Sequence, residues 1–125
     1  MNDDLSITRG SGNVFLDIGF SEEEAAELLV KSKLIIAIDE TIEKRQLSQK
    51  KAAEICHTDQ PTLSKVLRGR MESVTIDRLA SWLTLLGRSV EIHVSPYKAR
   101  TKRGRLIAFP NVKKRAASKT SKRIA

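Results

Sequence analysis

Between Ser48 and Gly69 the sequence contains the start and stop signals of two short helices, separated by only three residues. Ser48 and Asp59 are good N-caps, because their side-chain oxygens can accept N–H bonds from the first turn of a helix. They predict helices over residues 49–56 and 60–68. Gly69 can adopt the left-handed conformation that commonly ends a helix. This stretch therefore predicts two helices of about eight residues packed across a tight turn.

The two predicted helices differ in the side chains that they present. Ala52 and Ala53 are small, so the second helix can cross the first one closely. Leu63 and Leu67 form an apolar side that would lock the second helix to the rest of the protein. Two helices joined in this way have helix-turn-helix geometry. The remaining side of the second helix is polar or basic and has no acid: Gln60, Thr62, Ser64, Lys65 and Arg68.

These side chains are of the types that recognise duplex DNA in its major groove. Glutamine pairs with adenine, lysine with guanine, and threonine or serine with several bases. We expect base contacts from Gln60, Thr62, Ser64 and Lys65, with Pro61 beside them in the first turn. We expect backbone contacts from Gln49, Lys50, Arg68 and Arg70. An ordinary solvated helix face is the alternative, but the turn spacing, the position of Gln49 and the lack of acids favour double-stranded DNA.

Further helices are predicted on both sides of this pair. Ser21 and Glu24 form a capping box, and no glycine or proline follows as far as Arg45, so one long helix is expected. Thr75 begins another helix with an apolar stripe, which Gly87 ends. The chain is therefore expected to be mainly α-helical.

After Gly87 the apolar residues recur at every second position, which predicts a β-strand. Val90, Ile92 and Val94 alternate with polar residues, and a weaker strand is expected over residues 105–109. A lone strand leaves backbone groups unpaired. It can pair antiparallel with its copy in a homodimer, or with residues 105–109 as a hairpin. The dimer would place two recognition helices about one DNA turn (~34 Å) apart on a palindrome.

Residues 47–69 resemble the Xre family of lambda-repressor and Cro-like regulators. They read LSQKKAAEICHTDQPTLSKVLRG, against a family pattern of roughly L-T-Q-x-x-A-A-x-x-L-G-V-S-Q-P-T-V-S-R-L-L-x-G. The resemblance implies a five-helix DNA-binding domain. His57 replaces the turn glycine, whereas Cys56 and Thr58 replace apolar residues. None of these departures removes a side chain that faces the groove.

The resemblance continues outside the motif and covers about residues 12–95. The matching segments are similar to antitoxins of the HigA type, which are encoded beside a RelE/HigB-like ribonuclease toxin: residues 12–15, 19–20, 75–79 and 85–92. This subgroup implies a homodimer that represses its own operon and neutralises a protein toxin.

Charge divides the chain into unequal parts. The whole chain has a formal net charge of +8, yet residues 96–125 alone hold eleven basic side chains and no acid. We therefore expect an N-terminal arm over residues 1–20, a DNA-binding and dimerisation domain over residues 21–95, and a basic, disordered tail over residues 96–125. The tail can bind any polyanion weakly, so it indicates DNA binding only if the folded domain also contains a DNA-recognition element.

Several classes of protein are disfavoured by the composition. One cysteine and two histidines exclude a disulfide framework and leave little for a metal site, so we expect no metal, no cofactor and no catalytic site. No apolar run is long enough to cross a membrane, and we expect a cytoplasmic protein. Two rival functions stay open: a toxin-binding protein with incidental DNA binding, and a stand-alone or phage-type regulator without a toxin.

Overall fold

The computed structural model describes residues 12–96 and 104–108. Within them the chain forms five α-helices and one short 3-10 turn. In chain order these are α1 (Val14–Asp17), α2 (Glu22–Lys44), α3 (Gln49–Ile55), α4 (Gln60–Leu67), the 3-10 turn (Met71–Ser73) and α5 (Ile76–Leu85). The predicted mainly helical fold is confirmed.

The N-caps predicted from the sequence define where four of these helices begin. The hydroxyl of Ser21 accepts from the backbone N–H of Glu24 at 3.1 Å, and Ser48 and Thr75 make the equivalent bonds at 3.0 Å. A carboxylate oxygen of Asp59 accepts from the N–H of Thr62 at 2.7 Å. Each bond satisfies a donor that the helix itself leaves unpaired, so each helix start is fixed by local chemistry.

The apolar core lies where α2 packs against α4, the 3-10 turn and α5, and α3 contributes buried residues to the same cluster. Ile35, Ile38 and Ile42 form the inner stripe of α2, and the later helices cover them. The other buried apolar residues are Ala52, Ala53, Cys56, Leu63, Val66, Val74, Leu79, Trp82, Leu83 and Leu86. Since this core includes buried residues of α3 and α4, those two helices are anchored to the same core as α2 and α5.

Three basic side chains on the body of the protein serve the fold. The guanidinium of Arg45 donates to the carbonyl oxygen of Leu86 at 3.0 Å, which satisfies an acceptor that the end of α5 leaves without a partner in the helix. The guanidinium of Arg88 donates to the hydroxyl of Thr41, a buried residue of α2, at 2.8 Å. Both bonds join the ends of α2 and α5.

Lys31 is the third of these basic residues, and it is buried. Its ammonium donates to the carbonyl oxygen of Met71 at 3.0 Å and lies 3.3 Å from a carboxylate oxygen of Glu27. The long helix α2 thereby supports the 3-10 turn that directly follows α4.

Part of the predicted N-terminal arm is helical. Asn13 caps α1, and its side-chain amide donates to the carbonyl oxygen of Ala25 at 3.0 Å, which attaches α1 to α2. The rings of Phe15 and Phe20 meet edge to face with centroids 6.3 Å apart. Residues 1–11 of the arm lie outside the described residues.

The C-terminal strand is the part of the predicted fold that is not confirmed. Val90, Ile92 and Val94 belong to a segment without regular secondary structure, and residues 104–108 carry no strand either. The expected hairpin between them is absent from the described part of the chain. A strand exists only when another strand pairs with its backbone, and alternation in sequence does not supply that partner.

Most of the predicted basic tail lies outside the described residues, as does Phe109 at the end of the second predicted strand. Over residues 12–96 and 104–108, no helix combines the length and apolar character needed to cross a bilayer.

Candidate nucleic-acid interface

The helices α3 and α4 and the turn between them form a helix-turn-helix unit. Ala52 and Ala53 are buried on α3, and α3 packs against α4. His57 adopts a left-handed conformation with φ of +59°, so a histidine makes the turn at the position predicted for it. This conformation strains a residue with a side chain, although histidine tolerates it better than most. The turn therefore keeps its shape without a glycine.

The two other departures from the Xre pattern contact α5. The buried thiol of Cys56 donates weakly to the carbonyl oxygen of Trp82 at 3.9 Å, and burial raises the pKa of this thiol. The hydroxyl of Thr58 accepts from the guanidinium of Arg78 at 3.4 Å. Polar atoms at these positions thus have partners on α5, which explains how the fold accommodates them.

One side of α4 is fixed in the core. Leu63 is fully buried and Val66 is nearly so, whereas Leu67 is half-buried at the edge of the same cluster. The predicted anchoring by Leu63 is confirmed, and Val66 buries more of its surface than Leu67 does. Because this side is held tightly, the opposite side of α4 has a fixed orientation.

All nine predicted DNA-contacting residues reach the surface of the chain. Three are half-buried, namely Gln49, Thr62 and Ser64. Six are exposed: Lys50, Gln60, Pro61, Lys65, Arg68 and Arg70. The structure therefore places them where a ligand can reach them, on α3, on α4 and immediately after α4.

Two of the four predicted base-contacting residues already have partners within the helix. Hydrogen bonds from the hydroxyl and the N–H of Thr62 hold the pKa of Asp59 below its ordinary value. The hydroxyl of Ser64 accepts from the guanidinium of Arg68 at 3.0 Å. Ser64 and Arg68 thus form one connected polar unit at the C-terminal half of α4.

The other two, Gln60 and Lys65, extend from the exposed side of α4. Within the described residues the amide of Gln60 makes no side-chain hydrogen bond, and the ammonium of Lys65 acts on Asp59 only through its charge. Their donors and acceptors are consequently available to a partner. The described residues also contain no group of three or more histidine, cysteine, aspartate or glutamate side chains that could hold a metal ion.

A comparison with protein families gives a match over most of this fold. The model of a helix-turn-helix domain matches residues 14–95, which is more than half of the chain. The chain belongs to the helix-turn-helix domain family. The match begins at the first residue of α1, so this helix-turn-helix protein includes part of the predicted arm in its family domain.

A solved structure described as an XRE family transcriptional regulator is similar to this helix-turn-helix protein. The two chains are 26% identical, with a TM-score of 0.61, and the similarity covers 70% of this chain and 98% of the other. No curated protein matches. Together the family and structural matches support an Xre-type helix-turn-helix regulator that binds DNA.

Sequence reasoning missed Arg78, which lies in the first turn of α5 and touches the helix-turn-helix turn through Thr58. Its guanidinium lies 5.4 Å from the centroid of the Trp82 ring. The spacing of Arg78 and Trp82 on one helix was visible in the sequence as an i, i+4 pair. The contact with Thr58 was not, because twenty residues separate them and only the packing of α5 brings them together.

Proposed function

We propose that this helix-turn-helix protein is a repressor that binds a specific operator through the exposed side of α4. The single observation that carries this proposal is the contrast between the two sides of α4. Leu63 is fully buried, whereas Gln60 and Lys65 are exposed with their polar groups available. A rigid helix that presents such groups can enter the major groove without rearranging.

In this proposal the contacts divide by chemistry. Gln60 and Lys65 contact base edges, and Thr62 and Ser64 contribute hydroxyls beside them, with Pro61 packed at the entrance of the helix. Phosphates are contacted by Gln49 at the start of α3 and by three basic side chains: Lys50, Arg68 and Arg70. The bond from Arg68 to Ser64 orients that guanidinium before DNA arrives.

The test begins with a duplex that the wild-type protein selects from a random-sequence pool. Gln60→Ala and Lys65→Ala are each expected to weaken binding to this duplex by roughly tenfold or more at near-physiological salt, because each removes a base contact. Binding to an unselected duplex should change much less for Gln60→Ala. Lys33→Ala, which removes an exposed charge from α2, is the matched control. Failure to enrich any sequence, or unchanged affinity of both variants, would contradict the proposal.

We further propose that the protein acts as a homodimer through Val90, Ile92 and Val94. Ile92 and Val94 are almost fully exposed in the single chain, at 84% and 93%. Antiparallel pairing with a second copy would satisfy their backbone groups and cover their side chains. Sedimentation velocity over a range of concentrations tests this directly, and a monomer at every concentration would contradict it.

A role as the antitoxin of a toxin–antitoxin operon is the second candidate. It is supported by the resemblance of residues 12–95 to HigA-type antitoxins and by the exposed apolar segment after α5, which a RelE/HigB-like toxin could also pair with. Co-expression with the product of the neighbouring reading frame is the test. Rescue of growth and co-purification are expected for an antitoxin. Absence of both favours a stand-alone or phage-type regulator.

A further inference from the structure

Arg78 differs from Arg45 and Arg88, the two arginines that join the ends of α2 and α5. Arg45 and Arg88 are occupied by short bonds, of 3.0 and 2.8 Å, to groups of α5 and α2. Arg78 is exposed, the hydrogen bond from its guanidinium to Thr58 is long at 3.4 Å, and no carboxylate pairs with it in the described part of the chain. Most of its five donors are therefore available.

The ring of Trp82 nevertheless keeps this guanidinium in place. Trp82 is buried, so its ring is a fixed surface, and Arg78 lies 5.4 Å from its centroid. Stacking on an aromatic ring limits the rotamers of an arginine without using its hydrogen-bond donors. A guanidinium that is held in one orientation, with its hydrogen-bond donors still available, is well suited to bind an anion.

The position of Arg78 identifies that anion. Thr58 lies in the turn, two residues before the start of α4, so the guanidinium lies beside the N-terminal end of the helix proposed to enter the groove. Beside a helix in the major groove runs the phosphate backbone. We propose that Arg78 contacts a DNA phosphate next to the N-terminal end of α4, a contact that supplements those of Lys50, Arg68 and Arg70. This inference rests on the proposed DNA-binding function.

The contact predicts a specific salt dependence. Removing one phosphate contact lowers the steepness of the plot of log affinity against log salt by about one unit. It also weakens binding to all duplexes alike, because phosphates carry no sequence information. For Arg78→Met we expect affinity to fall by about tenfold at 0.15 M salt, on the selected duplex and on an unselected one.

Thr58→Val separates this role from a purely structural one. It removes the hydroxyl that Arg78 touches, restores the residue typical of the Xre pattern and leaves the charge in place. If Arg78 binds phosphate, Thr58→Val keeps the wild-type salt slope while Arg78→Met loses about one unit. If Arg78 only holds the turn, Arg78→Met keeps the wild-type slope, and that result overturns the inference.

One measurement and one further variant keep this outcome distinct from failure of the proposed function. Thermal unfolding shows whether Arg78→Met is folded, and Arg78→Gln provides a second neutral variant with the same expected loss of slope if the methionine variant unfolds. Wild-type protein that binds no duplex contradicts the proposed function itself. If the wild-type protein binds the selected duplex specifically and Arg78→Gln has the wild-type slope of log affinity against log salt, only the role of Arg78 is contradicted.

Discussion

The α3–α4 pair and the segment that follows α5 differ in how their backbone and side chains find partners. In the pair, each helix satisfies its own backbone, Ser48 and Asp59 cap the first turns, and Leu63 is fully buried. In residues 90–96 no ladder forms, and Ile92 and Val94 are exposed. The first region is complete within one chain, whereas the second presents an edge that a second polypeptide could complete.

The largest expected effect comes from the anchor of α4. Leu63→Ala removes a fully buried side chain and leaves a cavity beneath the recognition helix, so we expect it to lower the free energy of unfolding by about 2–5 kcal/mol. Urea denaturation followed by circular dichroism measures this loss. Leu85→Ala is the control, because Leu85 is 41% exposed. Equal losses in the two variants would show that α4 is not held by the core as described.

Val94→Asp tests the other side of the comparison. Because Val94 is exposed, the unfolding free energy of the isolated chain should change by no more than about 0.5 kcal/mol. In a strand-paired dimer the same side chain lies at the interface, and a charge there should weaken association by about tenfold or more. Sedimentation velocity measures the association, with Ser89→Asp as the control. A variant that dimerises like the wild type would place the interface elsewhere.

The same contrast explains what could be predicted from the sequence. The caps at Ser21, Ser48, Asp59 and Thr75 depend on atoms within three residues, so helix starts and the helix-turn-helix were predictable. The strand over residues 90–94 depends on a partner backbone, which alternation of residues cannot reveal. The contact of Arg78 with the turn depends on how α5 packs, and no local pattern encodes that.

For the candidate site, the sequence predicted which side chains are exposed, but it did not predict the hydrogen bonds that they make with their neighbours. All nine predicted residues are at the surface, and for those on α4 the reason is that apolar anchors such as Leu63 determine which side of the helix faces out. The bond between Ser64 and Arg68 and the involvement of Thr62 with Asp59 depend on rotamers. Residue types alone do not specify these.

Loss of one cap should have a smaller effect than loss of the core anchor. Ser48→Ala removes the acceptor of the Lys51 N–H at the start of α3, and we expect a loss of about 1 kcal/mol in unfolding free energy. Ser81→Ala makes the same chemical change at an exposed position inside α5. If Ser81→Ala is as costly as Ser48→Ala in urea denaturation, the hydroxyl of Ser48 is not what stabilises α3.

His57→Gly should be stabilising, by less than about 1 kcal/mol. Glycine removes the left-handed strain at φ of +59°. It also raises the conformational entropy of the unfolded chain, which favours unfolding, so the two effects largely cancel. Gln46→Gly, at a φ of +57°, should behave alike. Ser81→Gly, inside α5, should instead be destabilising. Thermal unfolding of the three variants measures the differences, and a destabilised His57→Gly would show that the imidazole itself supports the turn.

The cap of α4 should produce the smallest effect, and that effect should depend on pH. Hydrogen bonds from Thr62 hold the pKa of Asp59 below its ordinary value of 3.8, so the folded state favours the ionised carboxylate. Its contribution to stability is therefore present above that value and disappears as the pH falls through the lowered pKa. Asp59→Asn keeps a capping oxygen but cannot titrate. The wild type should be slightly more stable than this variant at pH 7, and the difference in urea midpoint should shrink as the pH falls below 3.8. Because Asp59 is fully exposed, solvent screens the interaction and keeps the difference small.

A difference that stays constant from pH 7 to pH 2.5 would mean that the ionised form has no advantage in the cap.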